Sequence, residues 1–162
     1  MVRLLNDPVL RIKCESVNLP EFPVDDLLKE MARVMLEERG IGLAANQIGH
    51  SVRIFILRNE DSYIEYINPT ILDKFEEVDF EDEGCLSIPG VSATTKRFRA
   101  LKLEWYDRNN VRYESMFTGM DAFAVQHEMD HLDGKLYIDQ FGPMKKDVIV
   151  RKHNKFIRAT RR

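Results

Sequence analysis

Apolar residues at 24, 27, 28, 31, 34 and 35 mark Val24 to Leu36 as a helix with one buried stripe, and Gly40 follows where helices often stop. Val52 to Leu57 reads as a strand, with Ile54 and Ile56 on one face and Phe55 and Leu57 on the other. Tyr63 to Ile67 is a shorter strand candidate, ended by Asn68-Pro69. Leu101, Leu103 and Trp105 alternate with polar neighbours, as do Val111, Tyr113, Ser115 and Phe117. The turn-forming Asp107-Arg108-Asn109-Asn110 lies between them, so an antiparallel hairpin is expected. The pattern returns to helical from Asp121 to His131, where Phe123, Ala124, His127 and His131 share a face. Pro143 can open a last helix, about 143–160, whose apolar line is Ile149, Phe156 and Ile157. Helices flanking a run of strands predict an α+β fold.

Composition narrows the class. The chain has 162 residues, 44% hydrophobic and 31% charged, a length and apolar content that predict one domain spanning 1–162 with a core of its own. No apolar run approaches the roughly 18 residues of a membrane helix, and no targeting segment is seen, so a cytoplasmic protein is expected. Two cysteines, Cys14 and Cys85, are too few for a disulfide framework and fit a reducing compartment. The net charge of −3 is unevenly spread. Glu76, Glu77, Asp79, Glu81, Asp82 and Glu83 form an acidic block. Lys145, Lys146, Arg151, Lys152, Lys155, Arg158, Arg161 and Arg162 make a basic end. Both blocks read as solvated faces, and the basic one also suits nucleic acid or a ribonucleoprotein surface.

The candidate chemistry lies in three places. His127-Glu128-Met129-Asp130-His131 sets two imidazoles four residues apart on a helix, where both can hold one ion with Glu128 beside it as a general base. A catalytic site usually takes a third protein ligand. The metzincin continuation of this motif runs as far as Gly134 and fails at Tyr137, where that family has histidine. Asp139 and His153 fit no ligand spacing, and His50 and His153 are expected at the surface. Cys85, beside Gly84 in Glu83-Gly84-Cys85-Leu86-Ser87, is the remaining candidate; Cys14 is expected to be a packing residue. Gly40-Ile41-Gly42-Leu43-Ala44-Ala45-Asn46-Gln47 is the third segment. It breaks the dinucleotide glycine pattern at Ala45, and its Gln47 amide can face a developing oxyanion.

In this order, GIGLAANQ, EGCLS and QHEMDH resemble the three motifs of the peptide deformylase family, in its compact bacterial-like form. Ile67-Asn68-Pro69 and Gly134-Lys135-Leu136 extend the likeness over most of the chain. The resemblance implies an α+β fold of antiparallel or mixed sheets around a central helix that carries both histidines. It implies a hydrolase that removes the formyl group from N-formyl-methionyl peptides of nascent chains and releases formate. Cys85, His127 and His131 would hold one divalent metal ion, Fe(II) natively, with Zn(II), Ni(II) or Co(II) in preparations. Glu128 would be the general base and then acid, with Gln47 and the Leu86 N–H as the oxyanion hole. Gly42 and Gly84 would offer backbone contacts to an extended peptide. Ile41, Leu86, Phe123 and Ala124 would line the methionine pocket, and Arg97 would lie near the peptide's far end.

As partners, the resemblance implies the formyl-methionyl peptide, the ribosome through the basic last helix, and no membrane; nothing requires more than a monomer. Removing Arg151 to Arg162 is then expected to weaken ribosome binding and spare turnover of a short peptide. Phe123, Ala124 and Val125 depart from the apolar residues many bacterial members carry there, which bears on pocket width. Two other readings remain: a protease or other metal amidase built on HExxH, and a non-catalytic binding protein on the same fold. The failure at Tyr137 argues against the first. The intact set of Gln47, Cys85, Glu128, His127 and His131 argues against the second.

Overall fold

The computed structural model describes residues 1–161; Arg162, counted above in the basic end, lies outside the described residues. Its elements run α1 (Val24–Glu37), β1 (Gly42–Ala44), β2 (Ile54–Asn59), β3 (Ser62–Gly84), β4 (Ser92–Tyr106), β5 (Arg112–Thr118), α2 (Gly119–Leu132) and α3 (Pro143–Thr160). The five strands form one antiparallel sheet in chain order, β1-β2-β3-β4-β5. This is the expected α+β class, with a continuous sheet in place of several.

The two faces of β2 explain the layering. Ile54 and Ile56 pack with Leu28, Met31 and Met35 of α1, while Phe55 and Leu57 pack with Ala122, Val125 and Met129 of α2. Alternation along this strand therefore separates two buried layers, with no exposed face from Ile54 to Leu57. A third apolar cluster joins Leu5, Ile88, Leu136, Tyr137 and Ile138 to Ile149 of α3. The 107–110 turn forms as expected: Asp107 accepts hydrogen bonds from the N–H groups of Asn109 and Val111, and Trp105 pairs with Tyr113 across the hairpin.

Two expectations are corrected. β3 does not stop at Asn68-Pro69. Asn68 takes a left-handed conformation at a register shift, and its side chain bonds both the N–H and the C=O of Val17, so the strand continues through a bulge. The acidic block lies on this continued strand, where pairing to β4 sets Asp79 opposite Lys96 and where Arg99 also bridges to Glu76. Most of the block is exposed as expected, whereas Glu83 is buried. His153 is the second correction. It is 2% exposed, because Ile149 and His153 lie one turn apart on the inner side of α3. His50 is exposed and faces Glu30, as a surface histidine should.

Cys14 is buried, and burial pushes its thiol up to about 11, in keeping with a packing role. Asp139 holds no ligand position. It bonds Arg11 at 2.6 Å, Lys146 at 3.2 Å and the Leu136 N–H at 3.0 Å, tying the N-terminal segment to the start of α3. Burial alone would raise its carboxyl, but these partners hold it below its ordinary value. Its contribution is thus present above the unfolded carboxylate pKa and is lost as pH falls through the lower folded value. Asp139→Asn should lower unfolding free energy by about 1 kcal/mol at pH 7, the difference shrinking towards zero on acidification, as measured by denaturant titration at both ends of that range.

Candidate metal centre

Three chain segments meet above the middle of α2. The helix presents His127 and His131 on one side, with their Nε2 atoms 3.2 Å apart. Cys85, just past the end of β3, brings its Sγ to 3.3 Å from the His131 Nε2. The three ligand atoms lie within 4.8 Å of one another. A tetrahedral ion with bonds of about 2.0–2.3 Å separates its ligands by roughly 3.3–3.7 Å, so this spacing fits one ion held by a thiolate and two imidazoles. Tyr137 is buried beside His127 with its hydroxyl directed to the Val91 carbonyl at 3.5 Å, and takes no ligand position.

The charges support the same fit. Burial works against a proton on either imidazole, yet Cys85 and Glu83 raise His127 well above its ordinary value. Burial and the facing His127 push His131 well below it. The donors thus draw one positive charge between them, where a cation is stabilised. The Glu83 carboxylate lies 3.1 Å from the His127 Nδ1 and is paired through both oxygens to the Arg97 Nε and Nη2 at 2.7 Å. Thr95 donates to the same carboxylate, and the Arg97 Nη1 bonds Asp130 at 2.7 Å. Burial alone would raise the Glu83 carboxyl; Arg97 and His127 reverse this and hold it at about 2. An anion there keeps the Nδ1 proton of His127 in place and leaves its Nε2 facing that of His131.

Glu128 stands next to the ligands, 4% exposed, with its Oε2 buried and without a protein partner among the described residues. Burial pushes its carboxyl up to about 7. Gly42 makes room for it: a Cβ there would come within 2.9 Å of the Glu128 Oε1 and of Leu57. In the short turn after β1, the Ala44 N–H bonds the Gln47 Oε1 at 3.0 Å, which forces the Gln47 Nε2 toward Ser87 at 3.1 Å and the Cys85 sulfur at 3.7 Å. Asn46, from the same turn, donates to the His131 carbonyl at 2.7 Å and so ties it to α2. Cys85 also opens a tight turn, closed by the Ile88 N–H on its carbonyl at 2.9 Å, in which Leu86 takes a central position and its N–H has no hydrogen-bond partner among the described residues.

A cleft of about 840 Å³ opens onto these groups, and Ile41, Gly42, Gly84, Leu86, Phe123 and Ala124 all line it. Sequence reasoning missed Phe80 and Met120, which share its wall; Phe80 stacks on Phe123 with ring centroids 4.5 Å apart. An aromatic residue alternating within the acidic block was the available signal for Phe80. Arg97 is the misplaced expectation. It is 5% exposed, lies between Glu83 and Asp130, and reaches a different hollow on the opposite side of α2.

Comparison with known proteins accords with this geometry. The polypeptide deformylase family model matches residues 1–147. The chain belongs to that family. The peptide deformylase of Pseudothermotoga lettingae is 36% identical over 161 residues, covering 99% of this chain and 94% of that protein. The crystal structure of a peptide deformylase from Legionella pneumophila superposes with a TM-score of 0.94 at 34% identity, over 100% of this chain and 97% of that one. A Met-Ala-Ser bound crystal structure of the class I type b enzyme from Acinetobacter baumannii gives 0.80 at 28% identity, covering 87% and 97%. The family uses a single divalent metal ion and removes the N-formyl group from nascent chains, and that is the hydrolase activity of this protein.

The carboxylate behind His127 predicts a measurable loss. Glu83→Gln should weaken metal binding roughly 10–100-fold in competition with a chelator. Arg97→Lys should lower metal affinity and the melting temperature together while leaving KM for a formylated tripeptide within about twofold, since the guanidinium orients Glu83 through a two-point contact that an ammonium does not reproduce. A selective rise in KM would return Arg97 to the peptide.

Proposed function

We propose that this chain deformylates N-formyl-methionyl peptides with Cys85, His127 and His131 as the ligands of a single ion, Fe(II) in the cell and Zn(II), Ni(II) or Co(II) in preparations. The observation that carries the reading is the buried, unpartnered Glu128 oxygen beside three converging ligand atoms at the base of an apolar cleft. The bound ion supplies Lewis acidity, polarising the formyl oxygen and acidifying water near neutral pH. Glu128 takes the proton from the attacking water and delivers it to the leaving amine. A carboxyl raised towards neutrality suits both halves of that transfer. The Gln47 Nε2, its orientation fixed by the Ala44 N–H, and the Leu86 N–H donate to the oxygen on which charge develops.

Substrate binding follows from the cleft walls. The methionine side chain enters between Leu86, Phe123 and Ala124, with Phe80 and Met120 completing the apolar surface and Ile41 at the exposed rim. The peptide lies extended between Gly42 of β1 and Gly84 at the end of β3, hydrogen-bonding as an added strand. On this reading the site admits only a formyl hydrogen beyond the carbonyl carbon, so a longer acyl chain would clash.

The protein works as a monomer and a single domain in the cytoplasm, where formylated nascent chains arise. The exposed cations Arg151, Lys152, Lys155 and Arg158 of α3 face outward and suit the phosphate backbone of the ribosome. Truncating at Arg151 would also remove the buried His153, so reversing the outer charges is the cleaner variation. Exchanging these four cations for glutamate should weaken ribosome co-sedimentation at low salt while turnover of a short peptide stays within about twofold.

The decisive experiment is formate release from formyl-Met-Ala-Ser by protein loaded with Ni(II) or Co(II) in the absence of oxygen. Glu128→Ala should abolish it, and Gln47→Ala should lower kcat by about 10²–10³-fold. Acetyl-Met-Ala-Ser should not turn over. Equal turnover of the acetylated peptide, or no formate from the loaded wild type, would overturn the reading.

A further inference from the structure

The turn that carries Cys85 and Leu86 is held from outside by α3. His153, on the inner side of that helix, places its Nδ1 3.2 Å from the Pro89 carbonyl. A carbonyl only accepts, so the Nδ1 carries the proton and the bond fixes the ring's tautomer. The next residue, Gly90, has φ +84, and a Cβ on it would run into the Cβ and ring of Phe156. The helix therefore closes directly on the backbone at this corner. One turn before His153, the 4% exposed Ile149 belongs to the same apolar cluster as Ile88, and the half-buried Cys85 packs against that cluster. On the other side, the Leu5 N–H bonds the Ser87 carbonyl at 2.9 Å. The segment from Cys85 to Gly90 is thus pinned at Ser87 by the N-terminal strand of chain and by Gln47, and at Pro89-Gly90 by α3.

We propose that His153 is a positioning residue for the metal and oxyanion site: through Pro89, with Phe156 over Gly90, it sets the pose of the turn that presents the Cys85 sulfur and the Leu86 N–H. The inference rests on those two groups acting as ligand and donor. It makes α3 a working wall of the active site as well as the bearer of an outward basic face. The short lever makes the effect direct, since Pro89 lies four residues beyond the sulfur-bearing residue and three beyond the donor. Misplacing catalytic groups by about 1 Å can cost a large factor in rate even when the change arises away from the chemistry.

The test uses the full chain loaded with Co(II), read by the thiolate-to-cobalt charge-transfer band and by the rate of cobalt release to a chelator. His153→Ala should shift the band, speed release roughly 3–10-fold, and lower kcat with little change in KM. His153→Asn, which returns an amide N–H to the place of the Nδ1–H, should bring release back to within about twofold of wild type. Met144→Ala, at the exposed start of α3, should be silent in all three measurements. An unchanged band and release rate in His153→Ala, whatever its melting temperature, would overturn the proposal. A shifted band that His153→Asn fails to restore would overturn the hydrogen bond as its basis. A wild type that binds Co(II) without a thiolate band would overturn the ligand reading of Cys85, and the proposal with it.

Discussion

The Arg97 guanidinium, buried between Glu83 and Asp130, is the constraint on which the site depends. Burying these charges carries a desolvation cost that Coulomb attraction repays only when the geometry is good and the remaining donors and acceptors are filled. Here Arg97 meets Glu83 through two nitrogens, Thr95 donates to the same carboxylate, and His127 takes its other side. What the network secures is register. Glu83 stands near the end of β3, Arg97 on β4, and Asp130 and His127 on α2, so one buried cation locks the long hairpin to the helix that carries both histidines. A slip of either strand by one residue would turn Glu83 or Arg97 to the other face of the sheet.

That dependence explains which parts of the site were legible in the sequence. His127 and His131 are related by helical spacing, a local property, and Cys85 stood out by its Gly84 neighbour and polar surroundings before the family likeness named its role. The fold brings their ligand atoms within 4.8 Å of one another. Gln47 was legible as an amide at the end of a small-residue segment, although only the fold shows that the Ala44 N–H decides which end of that amide faces Cys85. Arg97 was misread because its partners lie 14 and 33 residues away, and nothing near it in the chain says that it is buried. Glu83 was hidden by its neighbours: five exposed acids around it made a solvated block the natural reading, and only the end of β3 turns it inward.

The fold divides in the same way. α1, β2 and α2 were readable because each buries a stripe or face of its own, and the 107–110 hairpin because its turn residues and alternation are local, although β5 stays almost wholly exposed. The second half of β3 has no such face: Leu72 and Phe75 are each 44% exposed, and the strand is maintained by main-chain pairing to β4. Asn68-Pro69 looked like a terminator because the pair often starts a turn. Here the left-handed Asn68 converts that tendency into a bulge, and its amide replaces a strand partner for Val17. In α3 the apolar line was drawn through Phe156 and Ile157, but Phe156 remains 41% exposed and His153 is the deeply buried member. A histidine bonded to a carbonyl can occupy an apolar position that hydrophobicity alone assigns to another residue.

Charge balance joins these observations. With Cys85 bound to an ion as a thiolate, as proposed, that thiolate and the Glu83 and Asp130 carboxylates would stand against the Arg97 guanidinium, an excess of two negative charges. A divalent ion neutralises that excess, whereas a protonated imidazole neutralises half of it. On that reading, the preference of the centre for a doubly charged cation is built into residues that would not touch the ion. It also sets the role of Glu128. With the surrounding charges cancelled, burial is the main influence on that carboxyl, and burial is what raises it towards neutrality. Were Arg97 to pair with a peptide in the cleft, Glu83 would lose its two-point cationic partner and would cease to be a dependable anion behind His127. The arginine can orient His127 through Glu83 because it is buried and closed off from the cleft.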